Sequence, residues 1–101
     1  MSMALRVKIS VRAAVEVRKA AEWWLANRPA APSAIGADFG ASVALLAEQA
    51  GIGAKYNGSR MRGVRRLFLS RIGYFIYYKA SADELQVLAF WHASREHQPA
   101  L

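Results

Sequence analysis

Three strand-like segments follow one another near the end of the chain, and they limit the fold more than any other feature of the sequence. The segments are Val64–Ser70, Tyr74–Ala80 and Glu84–Ala93. Each is rich in β-branched and aromatic residues, and the connections between them, at Ile72 and Gly73 and at residues 81–83, have the length of hairpin turns. The pattern therefore predicts a three-stranded antiparallel meander.

The predicted meander is apolar on both faces. The middle strand has two sets of apolar residues, Tyr74, Ile76 and Tyr78 on one face and Phe75 and Tyr77 on the other. Simple alternation divides the last strand in the same way, into Leu85, Val87, Ala89 and Trp91 against Leu88 and Phe90. A sheet that is apolar on both faces must be covered on both, and one helical hairpin covers a single face. Two explanations stay open: the sheet curves around its own helices, or one face carries an apolar patch that binds another chain.

The first half of the chain reads as a strand followed by two helices. Apolar and polar residues alternate within residues 3–10, which is typical of a half-buried strand. Ser10 can cap the first helix, and Pro29 and Pro32 separate it from the second. The helices are predicted over Val11–Arg28 and Ser33–Ala50. The residues expected to face the core are Val17, Ala20, Ala21, Trp24 and Leu25, then Ile35, Phe39, Val43, Leu46 and Ala50.

A glycine-rich loop over residues 51–63 joins the helices to the meander. The element order is thus strand, αα-hairpin and antiparallel meander. This order predicts a single α+β domain over residues 1–101.

The positive charge of the chain is concentrated in one segment. The sequence has 14 Lys and Arg against 7 Asp and Glu, a net charge of +7. Residues 49–82 contain seven basic residues and no acidic one, so they account for the whole excess. Such a segment attracts an acidic partner, which can be a nucleic acid, a membrane surface or an acidic protein.

Several classes of protein are excluded or disfavoured by composition. The chain has no cysteine, which removes disulfides, thiolate nucleophiles and Cys-based zinc sites, and its 2 histidines make a His-only metal site improbable. We expect no metal and no cofactor. No apolar run is long enough for a membrane span or a signal peptide, which predicts a cytoplasmic protein with no segment in the membrane.

A cluster of arginines lies within twelve positions of the basic segment. Its members are Arg60, Arg62, Arg65, Arg66 and Arg71. Arg65 and Arg66 are neighbours on a predicted strand, so their side chains should leave opposite faces of the sheet. A guanidinium binds phosphate or carboxylate through two parallel hydrogen bonds, which favours a binding role for part of the cluster over a merely solvated surface.

His92 is the most credible general acid or base, because it lies at the end of the last strand beside Trp91, Ser94 and Arg95. A structural role for this histidine remains the stronger alternative.

The chain resembles the ParE/RelE superfamily of bacterial toxins over nearly its whole length, and the specific part of the resemblance is the C-terminal third. The resemblance is carried by the run GVRRLFLSRIGYFIYYK from Gly63 to Lys79 and by the run LQVLAFWHASRE from Leu85 to Glu96. It implies the toxin of a type II toxin–antitoxin pair, with an antitoxin that wraps over the helices and the sheet. The superfamily has two branches: RelE toxins cut messenger RNA on the ribosome, whereas ParE toxins poison DNA gyrase and are not nucleases.

Residue by residue, the resemblance favours the ParE branch. The ribonucleases have an arginine after the tyrosine of the Gly-Tyr pair, where this chain has Phe75, and two lysines on the preceding strand, which fall at Arg66 and Phe68. Their tail tyrosine is absent here as well. His97 can replace it, so a RelE-type endoribonuclease that uses His92, Arg95 and His97 stays open as the alternative, as does a nucleic-acid-binding module without toxicity.

The ParE interpretation gives a set of candidate contacts. Charged contacts with target or antitoxin are expected from Arg62, Arg65, Arg66, Arg71 and Arg95. Apolar docking is expected from Trp23, Trp24, Tyr78 and Trp91, with Trp24 and Trp91 favoured as core residues. The implied partners are a ParD-like antitoxin, DNA gyrase, and DNA indirectly through the antitoxin. An acidic antitoxin segment suits the localised charge better than nucleic acid at large.

Overall fold

The structure, a computed structural model, describes residues 4–101. The first residue of the predicted N-terminal strand, Met3, lies outside the described residues. The strands are Arg6–Ile9 (β1), Ala54–Lys55 (β2), Val64–Leu69 (β3), Tyr74–Ala80 (β4) and Glu84–His92 (β5). The helices are Val11–Asn27 (α1) and Ala34–Glu48 (α2), followed by a 3-10 turn over Ala50–Ile52.

These strands form one sheet in the order β1-β5-β4-β3-β2. The pairs β2–β3, β3–β4 and β4–β5 are antiparallel, and β1 lies parallel to β5. A parallel pair needs a crossover connection, and here the crossover contains the αα-hairpin. The predicted α+β class and its element order are thus confirmed. Helix α2 ends at Glu48, so the prediction that it reaches Ala50 and buries that residue in the core was wrong: Ala50 opens the 3-10 turn and is only partly buried. Strand β2 and the rest of the 3-10 turn fall within the segment that was predicted to be loop, because two or three residues are too short to show a period.

Helix α1 begins where β1 ends. The Ser10 hydroxyl oxygen accepts the amide hydrogen bond of Ala13 at 3.0 Å, as a capping residue does. The same hydroxyl donates to the Leu88 carbonyl at 3.1 Å, which fixes the start of the helix against β5. Helix α1 ends before Pro29, as predicted. Leu25 was wrongly expected in the core: its side chain is 63% exposed on the outer surface of the helix.

The core lies between the two helices and one face of the sheet. Its buried members include Ile35, Leu46, Ile76, Tyr78, Leu85, Val87 and Phe90. The Phe39 ring meets the Phe90 ring edge to face, with centroids 5.5 Å apart. The alternation within residues 3–10 places Leu5, Val7 and Ile9 on one side. Leu5 packs against this core, whereas Val7 and Ile9 of β1, which is an edge strand, stay about two-fifths exposed. No helix among residues 4–101 combines the length and the apolar character that crossing a membrane requires.

A bulge in β5 changes which residues face the helices. Tyr77 pairs with Ala89 and Tyr78 pairs with Val87, so Leu88 is an extra residue in the strand. An extra residue shifts the alternation by one position. Val87 therefore faces the helical core, whereas Ala89 joins the opposite cluster. The prediction that Leu85, Val87, Ala89 and Trp91 share a face was wrong for the last two.

The face of the sheet that the helices leave open is covered by other parts of the same chain. We call it the helix-free face. It buries Val64, Tyr77 and Ala89 under Tyr56 of the loop and Leu101. Loop and tail thus cover much of the second apolar face, which neither of the two sequence-based explanations anticipated. Phe68 remains 48% exposed at its margin.

Candidate functional site

The helix-free face gathers cations onto aromatic rings. Strand alternation brings Arg66 and Phe68 of β3 to this face beside Phe75 and Tyr77 of β4, and the bulge in β5 adds Trp91. The predicted separation of neighbouring arginines is confirmed, because Arg65 leaves the strand on the opposite face.

Arg66 is held by rings rather than by a carboxylate. Its guanidinium carbon lies 4.4 Å from the centroid of the Phe75 ring and 5.4 Å from that of Tyr56. One of its terminal nitrogens donates to the Tyr77 hydroxyl oxygen at 3.1 Å. Among residues 4–101 no carboxylate forms an ion pair with it. The side chain is thus held in a fixed orientation with donors to spare for an external anion.

A second stacked arginine lies on the same face. The Arg95 guanidinium is 3.9 Å from the Trp91 ring centroid, and Arg12 approaches that ring at 5.6 Å. The Trp91 indole N–H donates to the His97 carbonyl at 2.6 Å, which holds the tail across the strand end. Arg66, Trp91, Arg95 and His97 line one depression of about 230 Å³. Glu96 lines the depression as well, but the two guanidinium groups outnumber this carboxylate. Together with the aromatic wall they give a chemistry suited to a carboxylate or a phosphate.

The two histidines border the same depression. His92 Nδ1 accepts the Ser94 amide hydrogen bond at 3.1 Å and lies 2.6 Å from the Ser94 hydroxyl oxygen. The His92 ring also meets the Tyr74 ring at right angles, with centroids 4.8 Å apart. Its local partners fit the structural alternative for His92. His97 is exposed and contacts Trp91 through its backbone.

A second, larger depression of about 430 Å³ lies in the loop that precedes β3. Lys55, Arg60, Arg62 and Arg65 line it, together with Tyr56. Tyr56 connects the two depressions: its hydroxyl donates to Gln98 Oε1 at 2.9 Å, and Gln98 lines the smaller one. The basic segment thus forms a surface that continues from the loop onto the helix-free face.

Comparison with known proteins identifies the family. A family model described as the ParE toxin of type II toxin–antitoxin systems, parDE, matches residues 7–97. The chain belongs to the ParE toxin family. Among solved structures, the fold is similar to a chain titled "Chromosomal ParDE TA system from P. aeruginosa", with a TM-score of 0.72 and 22% sequence identity. The similarity covers 90% of this chain and 98% of that chain. No curated protein matches the sequence.

One predicted contact residue of this ParE toxin, Tyr78, is buried and cannot reach a partner. Tyr78 was expected to dock a partner, but its side chain is fully buried in the core. Its hydroxyl donates to the Ala50 carbonyl at 2.6 Å and accepts from the Gly53 amide at 2.9 Å. Burial raises the pKa of the Tyr78 phenol, and the Gly53 N–H bond and the Arg65 charge offset part of this rise. Tyr78 therefore fixes the loop to the sheet and has no surface to offer a partner.

Two of the five candidate arginines donate to carbonyl or carboxylate oxygens of the toxin itself. Arg65 donates to the Gly53 carbonyl at 2.8 Å and to the Gly51 carbonyl at 3.3 Å, so it holds the same loop as Tyr78. Arg71 forms a bidentate pair with Asp38 of α2, with nitrogen–oxygen distances of 2.9 and 2.5 Å. Arg62 is exposed at the larger depression.

The two tryptophans of α1 differ in exposure. Trp23 is half exposed and lines a groove between α1 and the sheet, and His92 and Arg95, which border the smaller depression, line this groove as well. Trp24 packs against the core, as favoured, and its indole N–H donates to the Ala31 carbonyl at 2.8 Å.

Sequence reasoning missed Tyr56, Arg12 and Gln98 as parts of the helix-free face. Tyr56 had a usable signal, since it is the sole aromatic residue of the glycine-rich loop. Arg12 and Gln98 reach this surface through tertiary contacts with the tail and the loop, and no local pattern marks them.

Proposed function

We propose that this ParE toxin is held inactive by a cognate ParD-like antitoxin and inhibits DNA gyrase when it is free. The observation that carries the proposal lies beside Arg66. Phe68 and Phe75 occupy the positions that, by the resemblance, hold cations in the ribonuclease branch, and their rings pack 5.0 Å apart. RNA cleavage through the 2′-hydroxyl needs a base, an acid and cations around the scissile phosphate. Two phenyl rings supply none of these.

The same surface supports an acidic antitoxin as the neutralising partner. Arg66 and Arg95 have no carboxylate partner within residues 4–101, and Arg62 is exposed nearby. Complementary charge accelerates association and orients the partner. We assign Arg62, Arg66, Arg95 and Trp91 to these contacts, with Trp23 in the groove beside α1, which Arg95 also lines. DNA contact would then be indirect, through the antitoxin, and the site of action would be the cytoplasm.

The test is to induce the toxin without its antitoxin and to follow DNA topology and transcript integrity in the same cells. Gyrase poisoning predicts DNA cleaved and trapped with gyrase while messages stay intact, and co-expression of the antitoxin should restore growth. Cut messages with unaltered DNA would overturn the proposal. A variant with Arg66→Ala and Arg95→Ala should escape neutralisation by the co-expressed antitoxin. Arg18→Ala is the matched control and should still be neutralised, because Arg18 is exposed on α1 and pairs with Glu22 at 4.0 Å.

A RelE-type endoribonuclease is the second candidate, and one observation favours it. His92, Arg95 and His97 line the same depression, so an acid, a base and a cation could act on one bound phosphate. A ribonuclease of this kind loses message cleavage when His97 is replaced by alanine. A gyrase poison keeps its effect on DNA with the same substitution.

A further inference from the structure

The outer edge of β3 is only partly paired. Strand β2 pairs Ala54 with Arg66 and Lys55 with Arg65 and extends no further. Residues 67–69 have β4 on one side and, within residues 4–101, no strand on the other. We call residues 67–69 the open edge.

Hydrogen bonds on either side of β3 show which backbone groups point outward. The Tyr56 amide donates to the Val64 carbonyl, so the even-numbered residues of β3 face β2. The Gly73 amide donates to the Leu69 carbonyl on the β4 side, so the odd-numbered residues face β4. Backbone groups alternate in direction along a strand. Both the N–H and the C=O of Phe68 therefore point out from the open edge.

The open edge lacks the features that usually protect a sheet edge. Natural edges carry lysine, proline or a bulge that discourages a further strand. Residues 67–69 are Leu, Phe and Leu, without a bulge in their pairing with β4. The Phe68 side chain is 48% exposed and leans on Phe75, so an added strand would find an apolar contact next to free backbone groups.

The positive charge beside the open edge favours an acidic partner. Lys55 and Arg66 lie beside it, and residues 49–82 contain no acidic residue. A second copy of the chain would bring another net charge of +7 against this one. We propose that the open edge accepts an extended acidic segment of a partner polypeptide as an additional strand, with an apolar side chain beside Phe68 and a carboxylate at Arg66. This inference rests on the proposed neutralisation by an acidic antitoxin, and it does not depend on which target the toxin inhibits.

The test uses the full chain and a synthetic acetylated peptide of sequence Glu-Thr-Glu-Val-Thr-Val-Glu-Thr-Glu. The control peptide has lysine in place of every glutamate. The acidic peptide should bind at least about tenfold more tightly than the control at physiological salt, and it should slow hydrogen exchange of the Phe68 amide. Equal binding of the two peptides, no binding of the acidic peptide, or binding without protection of this amide would overturn the proposal.

A substitution at Phe68 tests the backbone contact itself. Phe68→Pro removes an N–H that faces outward and leaves the pairing with β4 in place, and proline is tolerated at such positions of edge strands. Phe68→Pro should weaken binding of the acidic peptide about tenfold, because one backbone hydrogen bond to the peptide can no longer form. Phe68→Leu keeps the N–H and should bind the peptide normally. If the proline variant does not fold, exchange of the Phe68 amide in the unmodified chain decides. If, without any peptide, protection of the Phe68 amide from exchange rises with the concentration of the toxin, the occupant is a second copy of the chain. That result would overturn the proposal of an acidic partner.

Discussion

The guanidinium of Arg66 lies 4.4 Å from the centre of the Phe75 ring, on the face of the sheet that the helices do not cover. Its neighbour Arg65 leaves the strand on the opposite face and binds the carbonyl oxygens of Gly51 and Gly53. Adjacent residues of the same type thus have different roles. One is bound to the protein's own backbone, and the other presents its charge to the outside.

The first prediction separates these roles by single substitution. Arg66→Ala should weaken antitoxin binding at least about tenfold while the free energy of unfolding falls by about 1 kcal/mol or less, because only ring contacts and one hydrogen bond are lost. Arg65→Ala should lower the free energy of unfolding by about 1–3 kcal/mol, because it leaves loop carbonyls without their charged donor. Urea unfolding and titration with the antitoxin measure the two effects. Identical behaviour of the two variants would contradict the assignment.

The second prediction concerns the close approach of Gly53 to Tyr78. A Cβ atom at residue 53 would collide with the Tyr78 hydroxyl, and the buried ring has no space to withdraw. Gly53→Ala should therefore destabilise the toxin by about 1–3 kcal/mol. Gly51→Ala is the matched control, because a Cβ there would have no heavy atom within 4 Å. Thermal unfolding of the two variants tests the difference, and equal melting temperatures would show that the loop yields at residue 53.

The strand period was enough to predict that Arg65 and Arg66 point to opposite faces. It was not enough for β5, because the extra residue Leu88 has no local mark and reverses the direction of every side chain after it. The burial of Tyr78 depends on Gly53, 25 residues away, which no periodicity connects to it. The sequence shows that the excess positive charge lies within residues 49–82, but only the fold shows which of the arginines there already have partners in the toxin.

The third prediction is a loss of stability at alkaline pH. Burial raises the pKa of the Tyr78 phenol above its ordinary value of 10.0, and burial raises that of Tyr74 likewise, with the Arg95 charge offsetting part of the rise. The folded protein therefore favours the neutral, protonated form of both phenols. Their contribution to stability is complete below pH 10 and is lost as the pH rises through the higher folded-state values.

Unfolding in urea between pH 8 and pH 12 tests this dependence. Tyr74→Phe and Tyr78→Phe should each flatten the alkaline decline. Tyr78→Phe should also lower stability at neutral pH by about 1–3 kcal/mol, because the Ala50 carbonyl and the Gly53 amide lose their partner. A phenylalanine variant that keeps the full alkaline decline would assign the titration to another group.

The fourth prediction concerns the pair formed by Arg71 and Asp38, which joins the turn between β3 and β4 to α2. The Arg71 side chain is 62% exposed and that of Asp38 is 22% exposed, so water screens the pair and its coupling should be about 0.5–1 kcal/mol. A double-mutant cycle with Arg71→Ala and Asp38→Ala measures the coupling by urea unfolding, and 1 M salt should reduce it. Because the guanidinium already has a bidentate carboxylate partner, Arg71→Ala should leave antitoxin affinity within about threefold of the unmodified toxin, well short of the tenfold loss expected for Arg66→Ala. A comparable loss in both variants would return Arg71 to the set of residues that contact a partner.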